Sequence, residues 1–398
     1  MLKSDQFWIS KNSSFSDIID SNNIIKIKWN KNVGTDYIYM AEAYYRSAEL
    51  ITVEILNEEH DNSKYDQWFF AAMYLYRQAI ELICKGIVAT RFDSKITKSL
   101  FLDYQHNVFD LFKYFLDSND ESFIEQYEET WLIDYLSDLE NIDSKSNLFR
   151  YPIKDGILND YQNDFLDIVD MANGFSQCYS ILYKYLDEKY NPSKYATDID
   201  ANMSTDVLHF AAHGFGNCML YRSIWDDGYY TLIKGFSEAV TVLVEKQDVD
   251  FWSLFPIMYL LRHAMELCLK QMLHSRTEYS VDRKTQNSIQ STHNLYKKLW
   301  KNVKPIVIHY ANASGYDLEQ IEIADKCLSE LHTIDTKGFV FRYPTTFDLQ
   351  HQLKFDQLDY LHSIHWMIGL FNFLDGCASM LDNIYECECE MRANYSYY

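Results

Sequence analysis

Met73-Tyr74-Leu75-Tyr76-Arg77-Gln78-Ala79-Ile80-Glu81-Leu82 returns later in the chain as Met258-Tyr259-Leu260-Leu261-Arg262-His263-Ala264-Met265-Glu266-Leu267. Working outward, His106-Asn107 returns as His293-Asn294. Ile142-Asp143-Ser144-Lys145 followed by Phe149-Arg150-Tyr151-Pro152 returns as Ile334-Asp335-Thr336-Lys337 followed by Phe341-Arg342-Tyr343-Pro344. The order is kept, with small insertions between blocks. Repetition at this length reads as an internal duplication in which each copy is one structural unit. Around the first block, Trp68, Met73, Leu75, Ile80, Leu82, Ile83 and Ile87 make the stretch 67–90 apolar on nearly every side, the pattern of a central helix.

The 398 residues suit two to three domains, and a 47% hydrophobic fraction supplies a real core. With 32 Tyr and 24 Phe, much of that core is expected to be ring packing. Only 12 Gly and 5 Pro punctuate the chain, which favours long helices over many short strands. Helical period is expected over 36–56, 67–90, 122–139 and 160–186, then again over 229–245, 251–274, 318–331 and 355–385. Asn107 and Asn294 are placed as N-caps of further helices. The alternation Ile24-Ile25-Lys26-Ile27-Lys28-Trp29 predicts a short strand.

The predicted fold class is therefore all-α: two tandem up-and-down helical bundles packed as a pseudo-dimer. The segments are an N-terminal stretch 1–33, a first bundle 34–190, a linker 191–221, a second bundle 222–390 and a C-terminal tail 391–398.

A net charge of −22 opposes broad coating of DNA or RNA. It leaves room for a small cleft with local Arg and His, and for a basic protein partner. None of the eight Cys forms a C-x-x-C pair. Cys84 and Cys268 read as buried thiols, and Cys387 and Cys389 as part of an exposed tail. No leader pattern and no membrane-length apolar run is seen, so the expectation is a reduced, cytoplasmic protein. His209 and His213 stand at i, i+4 and would face one way on a helix, but no third ligand accompanies them; neither a metal nor a cofactor is expected.

The central helix carries Arg77, Glu81 and Lys85, and its twin Arg262, Glu266 and Lys270, at i, i+4 and i+8. Charged residues are rarely buried unless paired, so Arg77 is expected to meet Glu81. The shared polar residues that would complete the set are His106, Asn107, Asp143, Lys145 and Arg150, with His293, Asn294, Asp335, Lys337 and Arg342 in the second copy. Two readings stay open. The set is a network that ties loops to the helix and satisfies buried groups, or it is a site for a ligand or a reaction.

At these residues the chain resembles the HEPN superfamily of small helical bundles, many of them in prokaryotic defence, toxin–antitoxin and RNA-processing systems. The resemblance rests on Tyr-Leu-Tyr-Arg77-Gln-Ala-Ile-Glu81-Leu and Tyr-Leu-Leu-Arg262-His-Ala-Met-Glu266-Leu, with the His-Asn and Phe-Arg-Tyr-Pro blocks downstream. It implies an effector or accessory protein that binds or cleaves RNA, or holds a nucleotide, without metal. In the ribonuclease members, Arg and a His four to six residues further on meet across two facing domains. Here those positions are Glu81, Leu82 and Ile83, and Glu266, Leu267 and Cys268. If chemistry persists, the resemblance implies His106 and His293 as proton acceptors beside Arg77 and Arg262. Glu81, Glu266, Asn107, Asn294, Arg150, Arg342, Lys145 and Lys337 would then be binding residues. The alternative is a non-catalytic module whose acidic surface takes a basic protein partner.

Overall fold

The structure is a computed structural model that describes residues 7–57, 61–119, 124–152, 156–186, 203–212, 217–221, 228–274, 289 and 291–395. Most of these residues are helical, as the composition predicts, and the strands are short. Among the described residues no helix is long and apolar enough to cross a membrane. The chain divides into two compact units, one of residues 27–256 with 341–354, the other of 1–26, 257–340 and 355–398.

In the larger unit, α1 (Val33–Asn57) and α2 (Asn62–Arg91) form a tight antiparallel hairpin. Gly34 makes the close approach possible, since a Cβ there would overlap the Thr90 hydroxyl. Burial on α2 is unbroken from Trp68 to Val88, so α2 is the helix the others surround. They are α3 (Ser94–Tyr104), α4 (Val108–Asp117), α5 (Gln126–Asp143), the short α6 (Ile157–Asp160), α7 (Ile168–Lys184) and α8 (Tyr229–Lys246). Rings fill the spaces between them, with Tyr45 stacked on Tyr179 at 4.2 Å and Tyr76 on Phe175 at 5.7 Å. Acidic or amide side chains set the helix starts. Asp93 accepts from two backbone amides at the start of α3, Asn107 from one in α4 and Asp167 from one in α7.

The smaller unit holds α9 (Leu254–His274) from Ile257 onward, a π-helical turn over Leu295–Trp300, α10 (Lys301–Ala313), α11 (Glu319–Ile334) and α12 (Tyr360–Tyr395). Strand β1 (Ile24–Lys26), where the alternation predicted it, pairs antiparallel with β5 (Gln357–Asp359), with Ile25 opposite Leu358. The segment ahead of β1 is strapped onto α12. Ser363 donates to the Phe15 carbonyl, His362 bonds the Ser14 carbonyl, and the Asp359 carboxylate accepts the Ile19 and Asp20 amides.

Several expectations need correction. The helix expected over 160–186 is broken: β2 (Phe165–Asp167) precedes α7, and Asp167 caps that helix. Strand β2 lies between β3 (Phe210–Ala211) and β4 (Asn217–Met219), antiparallel to both. The stretch 203–221 is thus no linker where it is described; it is also tied down by Trp131, which donates to the Met203 and Ser204 carbonyls. Residues 191–202 lie outside the described residues. The tail expected from 391 is instead the end of α12, which runs to Tyr395 and carries Cys387 and Cys389 on its last turns. Helix α3 went unpredicted.

The two units also cut across the expected segment boundaries. Helix α8 belongs with α2 because Gly235 lets it lie directly on the α2 backbone, where a Cβ would overlap the Gln67 carbonyl. Residues 341–354 join the same unit through Tyr44, which donates to the Phe341 carbonyl, and through His351, 2.8 Å from Asp36.

Gly235→Ala should lower stability by about 1–3 kcal/mol, the cost of forcing a group into packed backbone. Gly376→Ala, mid-helix in α12 with open space at its Cβ, should raise it by about 0.5–1 kcal/mol. Urea titrations of the two variants beside the parent check both signs.

Candidate functional site

Arg77 has a fully buried side chain whose donors are spread over three partners. Nη1 meets Glu81 Oε2 at 3.3 Å, one turn along the helix. Nη2 donates to the His106 carbonyl at 3.0 Å, and Nε lies 3.5 Å from Asp143 Oδ2. Asp143 closes α5 and accepts the Asn147 and Leu148 amides through its other oxygen, so one carboxylate both holds Arg77 and shapes the turn after α5.

Glu81 collects the remaining donors. Besides Arg77 it receives Lys85 Nζ at 2.6 Å and His106 Nδ1 at 3.1 Å. Its fourth partner comes from far along the chain: Tyr343 Oη donates to Glu81 Oε1 at 2.6 Å and lies 3.1 Å from His106 Nδ1. The Tyr343 ring also lies 4.4 Å from Lys85 Nζ, a cation–π contact. Next to it, Gln78 donates to the Arg342 carbonyl at 3.0 Å, and its Oε1 lies 3.3 Å from Arg342 Nη2. Part of the second Phe-Arg-Tyr-Pro block therefore completes the cluster built on α2, which carries the first copy of the repeated helical motif.

The protonation states follow from this packing. Burial alone would raise the Glu81 carboxyl, but Lys85, His106 and Arg77 outweigh it and hold the group well below the usual range. An ionised carboxylate only accepts, so Nδ1 of His106 carries its ring proton and Nε2 keeps the lone pair. Burial pushes the His106 pKa down to about 4, against the pull of Glu81. The imidazole is thus neutral at pH 7, and 25% of its side chain stays exposed. Burial likewise lowers Lys85 and raises Tyr343. Glu140, one turn before Asp143, is raised to about 7 by burial, with Asp110, Asp143 and Glu81 adding to the rise and Arg77 opposing it. Its Oε2 is shut from solvent without a hydrogen-bond partner.

The smaller unit holds a second cluster of the same composition. Arg262 pairs with Glu266, donates through Nε to Asp335 Oδ2 at 3.0 Å, and bonds the His293 carbonyl. Lys270 Nζ lies 2.8 Å and His293 Nδ1 3.0 Å from Glu266 Oε1. Asp335 accepts the Gly338 and Phe339 amides. Gly338 has φ +79°, and a Cβ there would stand 3.0 Å from the Arg262 guanidinium, so both backbone and neighbour require glycine. As at Glu81, burial would raise Glu266, and Lys270, His293 and Arg262 hold it well below the usual range.

Of the residues singled out in the sequence, Arg77, Glu81, His106 and Asp143 come together, as do Arg262, Glu266, His293 and Asp335. Asn107 and Asn294 serve as helix caps, accepting from the Asp110 and Lys297 amides. Lys145 and Lys337 are exposed. Arg150 is buried over the Tyr74 and Tyr151 rings and bonds Tyr151 Oη at 3.1 Å, whereas Arg342 and Tyr343 reach Gln78 and Glu81. Sequence reading passed over Gln78, Tyr343 and Glu140. Tyr343 had a signal, since its block is repeated; Glu140 had only its place one turn before Asp143. His209 does not sit on a helix: its carbonyl accepts the Asp167 amide beside β3, and His213 lies outside the described residues. Among the described residues no group of three ligating side chains is placed to hold a metal. Scans against known protein families, curated proteins and solved structures returned no match for this chain.

Arg77→Ala and Arg262→Ala should each destabilise by about 3–5 kcal/mol, because a buried carboxylate is left uncompensated; an exposed pair would cost under about 1 kcal/mol. Denaturant melts measure this directly.

The acid response has a defined sign. Between pH 6.5 and about 4 the unfolded chain binds a proton at His106 that the folded chain refuses, so this contribution is complete above 6.5 and is lost as pH falls to about 4. Glu140 acts oppositely. Its contribution is present below 4.5 and is lost as pH rises through about 7. Melting profiles against pH should therefore flatten on the acid side in His106→Gln and lose the decline between 4.5 and 7 in Glu140→Gln.

Proposed function

We propose that the chain is a HEPN-like accessory module of a prokaryotic defence or toxin–antitoxin system that works by binding, and that its acidic surface takes a basic protein partner. One observation carries this reading: Arg77, Arg150, Arg262 and Arg342 are all buried. A phosphate would have to displace Glu81 and Asp143 to reach Arg77, and Glu266 and Asp335 to reach Arg262. Displacing them would leave buried carboxylates unpaired, which costs several kcal/mol. Guanidinium groups so engaged hold the fold and are withdrawn from transition-state charge. The surplus of 58 acidic over 36 basic residues opposes a polyanion and attracts a polycation.

The same reading takes the two halves as duplicated bundles that pack as a pseudo-dimer. Its support is the repeated blocks, the matching composition of the two Arg–Glu–Lys–His–Asp clusters, and the seating of Tyr343 on Glu81.

A second reading, metal-independent RNA cleavage, is favoured by His106. Its ring is held by a carboxylate through Nδ1 and keeps a basic Nε2 in a partly exposed side chain, the arrangement of a general base. Total RNA incubated with the purified protein and a chelator distinguishes the two. The binding reading predicts no cleavage above buffer. Cleavage by the parent that disappears in His106→Ala/His293→Ala would establish the other.

A further inference from the structure

We infer that residues 7–13 form a strap on α12 that lifts in acid, with His365 as its trigger and residues 14–20 as its fixed hinge. The device lies within the smaller unit and is independent of the binding reading above. Residues 7–13 are neither helix nor strand, and Trp8, Ser10, Lys11 and Asn12 among them are exposed. The chain that links them to Ile257 belongs to the larger unit, so contact alone holds the strap to α12.

The hinge is bound firmly. Phe15 is fully buried, with the Phe355 and Trp366 rings 5.8 and 5.7 Å from its own. Glu330 accepts the Ser14 hydroxyl and the Phe15 amide. Ser363 donates to the Phe15 carbonyl at 2.9 Å, and His362 Nε2 donates to the Ser14 carbonyl at 2.8 Å. That last donor is present in neutral and protonated imidazole alike, so acid leaves the hinge closed.

The strap is held differently. The Phe7 ring stacks on His365, with centroids 3.8 Å apart and planes 16° from parallel. Asn372 donates to the Phe7 carbonyl at 2.9 Å, and Trp8 donates to Gln320 at 2.7 Å. Gly369 lets the strap cross α12, because a Cβ there would stand 3.0 Å from the Trp8 carbonyl carbon. His365 Nε2 is shut from solvent with no hydrogen-bond partner. In the neutral ring that atom can be a bare lone pair. Protonation would make it a buried donor on a charged ring with no acceptor, which is the costlier case. Lifting Phe7 opens the ring to water and removes that cost.

The sign follows from the same contacts. Burial lowers the His365 pKa from its ordinary 6.5; His362, one turn earlier, adds to the fall and Asp359 opposes it. The charged groups of the strap, the hinge and α11 have their own partners. Lys11 pairs with Glu319, Lys326 donates to the Lys11 carbonyl, and Asp17 accepts the Ser14 amide. Docking of the strap is therefore complete above 6.5 and declines as pH falls below it, the lifted state gaining up to about tenfold per pH unit. His365, Gly369, Asn372 and Phe373 lie on one stripe of α12, which is covered at neutral pH and bared in acid.

The test puts 4-fluorophenylalanine in place of Phe7 in the full chain. Its fluorine resonance is recorded with a soluble nitroxide, which broadens an accessible ring and spares a covered one. Broadening should rise at least about threefold between pH about 7.5 and pH about 5, the range in which an imidazole titrates. His365→Phe keeps the stack and takes no proton, so it should hold the neutral value at both pH values. Gly369→Ala should raise the broadening at both, with the far-UV circular dichroism of the parent. The same label in place of Phe15 should stay covered throughout. A Phe7 ring that stays covered in acid, or that lifts equally in His365→Phe, overturns the inference. Uncovering of Phe15 together with Phe7 would mean acid unfolding of the whole unit and overturns it as well.

Discussion

The ion pair between Arg77 and Glu81, repeated between Arg262 and Glu266, is the constraint around which the rest is arranged. Both members sit on helices buried over most of their length. Taking a guanidinium and a carboxylate out of water costs several kcal/mol per ion, and their mutual attraction offsets this only when the remaining donors and acceptors are also matched. Each cluster meets that demand in the same way. A histidine carbonyl turns inward to accept one Arg nitrogen, an aspartate at the end of a neighbouring helix faces another, and a lysine one turn on joins the histidine ring at the glutamate. The loops are thus fixed by what the helix needs.

This logic also says which parts were legible in advance. Local rules recovered the central helices, the Asn107 and Asn294 caps and the pairing of Arg with Glu, because all depend on neighbours within a turn or two. The seating of Tyr343 on Glu81 was hidden, since it joins residues far apart in sequence and no local pattern encodes that. Strand β2 was hidden for the same reason: Phe165-Leu166-Asp167 pairs with β3 and β4, which lie far along the chain. Helix α3 was overlooked although Asp93 provides an ordinary cap, in a stretch whose buried residues are only Thr97, Leu100 and Phe101.

The arginines that suggested a phosphate site in the sequence are consumed by structure, while the His106 and His293 side chains stay partly exposed. On the reading proposed above, buried arginines and an excess of acidic over basic residues suit a basic partner better than RNA. The Glu81–His106 contact fixes the imidazole at the edge of the cluster, with part of its side chain exposed.

The central claim is that the charged hydrogen bond from Tyr343 to Glu81 contributes directly to holding the distant block at 341–344 on α2. A double-mutant cycle of Glu81→Gln with Tyr343→Phe, read by urea denaturation, tests it most directly. The account predicts a coupling of about 1–3 kcal/mol, the worth of a buried hydrogen bond to an ionised partner. Additivity within about 0.5 kcal/mol would contradict it, showing that the tyrosine is held by its other contacts and not by Glu81.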